Sequence, residues 1–163
     1  MFRVQLMSCM AALLVSLCCQ AEERTVVGTA VPVSVVRNET THQCEVLVNR
    51  ISSLKFDCEE AYLPRVVANY SGALGKLLEV LIIQELPGGN ACNGGPLHIL
   101  AITQEKKPLV ADPIDFCGGK DPVVSRKGQA VLITLPGGAP NRGEGFIPTE
   151  RWSYQEGVLH RIK

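Results

Sequence analysis

The chain has 163 residues, with 16 Lys and Arg against 16 Asp and Glu, and a hydrophobic fraction of 46%. A formal net charge of zero argues against a nucleic-acid partner, which needs a clustered basic surface. The length suits one domain with a real core.

Met1, Phe2 and Arg3 form a short basic start, and residues 4–19 are an uncharged, largely apolar run. Cys19 and Ala21 then place small residues three and one before a cleavage point, and Glu22 and Glu23 follow. This is the pattern of a secretory signal peptide spanning residues 1–21. The apolar run is shorter than the roughly 20 residues a membrane span needs. Bulky Leu17 before Cys18 also makes a poor lipid-attachment signal. No second apolar segment reaches membrane-spanning length. The expectation is a periplasmic or secreted protein with one all-β domain over residues 22–163 and no membrane span after cleavage.

Cys9, Cys18 and Cys19 leave with the leader, so Cys44, Cys58, Cys92 and Cys117 remain. An even number in an oxidising compartment reads as disulfides. Four cysteines allow three connectivities. Cys44–Cys58 with Cys92–Cys117 is favoured, because each pair closes segments that can form adjacent strands. Zinc is the weaker reading, since no pair has the C-x₂₋₄-C ligand spacing.

Residues 25–36 are dense in valine, which suits strand. Gly28 and Pro32 inside them point to a bend or an edge strand. Residues 44–49 and 54–58 alternate apolar with polar in part, and Arg50-Ile51-Ser52-Ser53 between them reads as a hairpin turn. Residues 64–70 form a further strand. Residues 77–83 fit either a helical stripe or a strand with two apolar faces. Val80, Ile82 and Ile83 are β-branched, and Gly72 and Gly75 weaken a helix start, so a buried strand is preferred.

A loop of Pro, Gly, Asn and Cys follows, then apolar segments at 97–102 and 109–116. Residues 123–135 make a hairpin with a basic turn at Arg126-Lys127-Gly128. Residues 136–148 read as a mobile Gly- and Pro-rich loop. Residues 150–163 close the chain as a second hairpin turning at Gln155-Glu156-Gly157. About nine or ten short strands imply an all-β fold. Its expected form is an antiparallel meander, disulfide-stapled, making a small sandwich or a curved, barrel-like sheet.

Catalytic motifs are scarce. His98 lies six residues beyond Cys92, but an oxidised Cys92 cannot act as a thiolate, and His98 reads as a half-buried strand residue. There is no G-x-S-x-G elbow. The glycine pairs at 88–89, 94–95, 118–119 and 137–138 match no phosphate-loop pattern and read as turn glycines. No cofactor and no metal are expected. A hydrolase remains as a rival reading if the fold gathers carboxylates from Glu79, Asp112, Asp115 and Asp121. A small-ligand carrier is another, if the strands close around a cavity.

The remaining class is recognition of a protein partner. Tyr70, Trp152, Tyr154 and the loop around Arg142 are the candidate contact residues, with Trp152 as a core plug the simpler alternative. The Asn90-Ala91-Cys92-x-Gly-Gly loop, the Cys117 after an apolar segment and the W-x-Y-x-x-G pattern at 152–157 resemble small exported bacterial β proteins. That resemblance covers residues 77–163. Some such proteins serve as periplasmic immunity proteins against secreted toxins. The resemblance therefore implies a binding module of that kind, and it assigns no functional residue.

Overall fold

The computed structural model describes residues 22–89 and 92–163. The expected leader lies outside them. Twelve strands follow one another: β1 (Glu22–Val26), β2 (Val33–Asn38), β3 (Gln43–Val48), β4 (Ile51–Asp57), β5 (Ala61–Leu74), β6 (Leu77–Pro87), β7 (Leu97–Thr103), β8 (Pro108–Val110), β9 (Val123–Lys127), β10 (Ala130–Leu135), β11 (Glu150–Gln155) and β12 (Val158–Ile162). Each pairs antiparallel with its chain neighbour, giving three four-stranded sheets from β1–β4, β5–β8 and β9–β12. The fold is the expected all-β antiparallel meander. It is stacked as a sandwich of three sheets and not closed as a barrel.

The β5–β8 sheet is the middle layer. One core joins Val33, Val35, Val46 and Val48 of the first sheet to Leu81, Ile83, Leu100 and Ile102. The other joins Val80, Ile82, Ile99 and Ala101 to Val131, Ile133, Leu135 and Tyr154 of the third. Register explains the division: Leu81 lies opposite Leu100, Ile82 opposite Ile99 and Val80 opposite Ala101, so paired residues share a face. A strand covered on both faces reads as a continuous apolar run instead of an alternation, which is why 77–83 also resembled a helix. A register shift between Leu77 and Glu79 reverses the alternation there. Leu77 joins the second core and Leu78 packs on the first.

Two local expectations need correction. The β3–β4 turn is not Arg50–Ser53 but the pair Asn49 and Arg50, with φ of 51° and 66°. Positive φ at both positions is the geometry whose twist suits a two-residue hairpin. Of the 109–116 segment only Leu109 and Val110 are strand, at the end of β8 (Pro108–Val110). Past β8 the Ala111 N–H still donates to the Ile99 carbonyl of β7 at 3.1 Å. Pro113 has no N–H to continue a ladder, and the chain rejoins β7 at the Leu97–Ile114 bridge. Ile114 and Phe116 still enter the second core. Loop 136–148 is fastened at its base, where Gly138 and Ile147 exchange backbone hydrogen bonds of 3.0 and 2.8 Å. A Cβ on Gly137 would stand 2.1 Å from the Ile147 oxygen, so only glycine fits.

The two disulfides are Cys44–Cys58 and Cys92–Cys117, with Cα separations of 5.7 and 4.7 Å. In the chain-entropy model loops of this size are each worth roughly 3 kcal/mol. Their surroundings differ. Cys44 and Cys58 are 0% and 1% exposed in the first core, whereas Cys117 is exposed. A mild thiol under native conditions is therefore expected to open Cys92–Cys117 while Cys44–Cys58 stays closed. Alkylation followed by peptide mass mapping reads this, and equal labelling of Cys44 and Cys117 would show that burial gives no protection.

Candidate partner-binding groove

β1 is the outer strand of the first sheet and β5 the outer strand of the second. Among the described residues each leaves one edge unpaired within its sheet. The two edges border one groove of about 400 Å³, lined by Arg24, Val26 and Val27 of the first sheet's end and by Pro64, Val66 and Asn69 of β5, among others. Val35 of β2 also lines it.

The β1–β2 connection holds this wall in place. Gly28 takes φ +76°, and the Thr29 hydroxyl donates to the Val26 carbonyl at 3.2 Å, closing the end of β1. Two residues of the middle sheet grip the loop. Asn69 Nδ2 donates to the Gly28 carbonyl at 3.3 Å, and the Ala30 N–H donates to Glu79 Oε2 at 3.0 Å. Glu79 is 0% exposed. Burial raises its carboxyl above the ordinary value, against the opposing hydrogen bonds from Ala30 and Asn69. Glu79 Oε1 and Asn69 Oδ1 are both buried without a hydrogen-bond partner.

The two edges are unequal. β5 carries Pro64, which has no N–H, and register shifts between Tyr62 and Arg65 and between Val66 and Ala68, features that blunt an edge. Its far end is covered by Arg126 of β9, whose Nη1 donates to the Ser71 and Gly72 carbonyls at 3.2 and 2.9 Å. β1 has neither proline nor register shift over its five residues. The two arginines of the groove differ as well. Arg65 is engaged by Gln84 Oε1, at 3.0 Å from Nε and 2.8 Å from Nη2, and by Asp121 at 3.5 Å. Arg24 is exposed.

Elsewhere, His98 Nε2 meets Glu85 Oε1 at 2.5 Å, and the His98 ring stands edge-on to Phe56 with centroids 4.7 Å apart. Glu85 also borders a groove with Asp57, Glu59 and Glu60. Among the described residues no three His, Cys, Asp or Glu side chains converge in a metal-holding arrangement.

The contact residues expected from sequence are distributed otherwise. Tyr154 is 0% exposed in the second core, and burial pushes its phenol up to about 12. Trp152 and Tyr70 pack against the same core. Trp152 Nε1 donates to Glu150 Oε2 at 3.2 Å, and the Tyr70 hydroxyl donates to the Val124 carbonyl at 3.0 Å. The three aromatics are thus brought together as packing, while Arg142 is exposed in loop 136–148. Of the four carboxylates considered, Glu79 is enclosed, Asp112 and Asp115 are exposed on the β8–β9 connection, and Asp121 pairs with Arg65. The groove itself has no sequence motif. Its traces were the edge-strand signals Gly28 and Pro32 and the proline at 64. No family model, no curated protein and no solved structure matches this chain.

Proposed function

We propose that this chain is an exported protein-binding module that takes an extended segment of a partner protein into the β1–β5 groove. The observation that carries the reading is the meeting of two open sheet edges on one apolar channel, the surface a strand-like ligand needs. Two disulfides support an oxidising compartment, periplasmic or extracellular. Among the described residues no helix is long and apolar enough to cross a membrane. The resemblance to immunity proteins makes a secreted toxin the partner class to try first. A rigid three-layer scaffold suits such a role, because a preformed surface loses little entropy on binding.

Val27 lines the groove and is 86% exposed, so a photo-crosslinking residue there leaves the fold intact. A discrete protein adduct is expected from position 27 and not from Lys127, an exposed position on the third sheet. Adducts that are equal at both positions, or absent at 27, would refute the groove as the binding site.

A further inference from the structure

Resting on that reading, we infer that the partner segment pairs with β1 as a fifth strand of the first sheet. It presents an apolar residue opposite Val26 and a carboxylate opposite Arg24, two residues apart in its own sequence.

The argument starts from register. Arg24 lies opposite Val35 and Val26 opposite Val33. Val33 and Val35 are each 1% exposed and belong to the core shared with the middle sheet. Cross-strand partners share a face, so Arg24 and Val26 project to the face of Val33 and Val35, on which the groove opens, while Thr25 alternates to the other face and borders the groove from there. A strand laid beside β1 places its residues over the groove at every second position. The position opposite Val26 then covers the apolar floor formed by Val35 and Val66. The next position on that face stands beside Arg24. Arg24 is the groove arginine not held by Gln84 and Asp121. Glu22 follows on the same face, opposite Arg37, and disfavours a second carboxylate beyond the first.

The pairing edge is β1 because β5 is interrupted by Pro64 and by its register shifts. Antiparallel addition continues the pattern of the sheet. The charges on β1 discourage indiscriminate pairing. Their order also makes the edge selective, since opposite charges directly across a pair attract and like charges repel.

Two synthetic peptides test this, Thr-Val-Thr-Glu-Thr and Thr-Val-Thr-Lys-Thr, each titrated into isotope-labelled protein. The glutamate peptide is expected to shift the amides of residues 22–27 and to bind about fivefold more tightly than the lysine peptide, the ratio that cross-strand charge pairs support. In Arg24→Glu the preference is expected to reverse, with amide shifts elsewhere unchanged. Equal binding of the two peptides, or a preference that Arg24→Glu does not reverse, would overturn the charge rule. Shifts confined to residues outside 22–27 would overturn pairing on β1. Neither result touches the crosslinking outcome at Val27, which reports on the groove independently.

Discussion

Leu81→Ala and Ile82→Ala are each expected to lower stability by about 2–5 kcal/mol, yet to do so in different halves of the molecule. Both side chains are 0% exposed and adjacent in β6. Leu81 belongs to the core between the first and middle sheets, Ile82 to the core between the middle and third. Trp152, the single tryptophan of the chain, packs only against the latter. Urea unfolding should therefore show similar losses for the two variants. The native emission of Trp152 should move in Ile82→Ala and hold its wild-type position in Leu81→Ala. An equal spectral change in both would mean that the middle sheet does not separate the two cores.

The second large effect belongs to Glu79. Glu79→Ala leaves the Ala30 N–H without its acceptor, at about 1–3 kcal/mol for a buried polar group stranded. Glu79→Gln keeps an acceptor for the Ala30 N–H, so it should retain most of the stability. The two neutral replacements also isolate the proton. A carboxyl whose folded pKa is raised contributes stability that is fully present below its unfolded pKa and is lost as pH rises through the folded value. Wild-type stability should therefore fall relative to Glu79→Gln as pH rises from the ordinary carboxyl range through the raised value. Glu45 works in the opposite sense, because its hydrogen bond from Ser52 lowers its pKa. Its contribution is common to both proteins and cancels. Urea midpoints measured across that range decide the matter, and a constant difference between wild type and Glu79→Gln would show that Glu79 binds no extra proton in the folded state.

The strands were readable from sequence where one face meets a core, as in Val33 and Val35 or Val131, Ile133 and Leu135, because burial then alternates with period two. The disulfide pairing was readable because cysteines flank the β3–β4 hairpin. What sequence left open was the number of layers. Residues 80–83 show two apolar faces, but nothing local says which segments cover them. The aromatic hairpin was ambiguous for the same reason. Trp152 and Tyr154 have the composition of a contact surface and the position of a core lid, and their packing on the second core comes from segments far apart in the chain. The groove was least legible of all. It arises from β1 and β5, two strands well separated in the chain and not hydrogen-bonded to each other.

Each sheet is one unbroken stretch of chain, and this sets a timetable for assembly. Residues 22–57 can pair strand by strand as they are made, and the Cys44–Cys58 bridge lies almost wholly within that stretch. Short-range pairing of this kind keeps loop-closure entropy small and favours quick folding. The middle sheet follows and at once finds the first sheet to cover Leu81, Ile83 and Leu100. Its other side, with Val80, Ile82 and Ile99, is met only by Ile114 and Phe116 of the β8–β9 connection until β10 and β11 arrive near the end of the chain. During that interval the nascent protein carries a broad greasy surface, the state most exposed to misassociation. The last fifth of the sequence is thus what makes the earlier part safe to release, and a chain stopped after β8 would be sticky however well its first two sheets had formed.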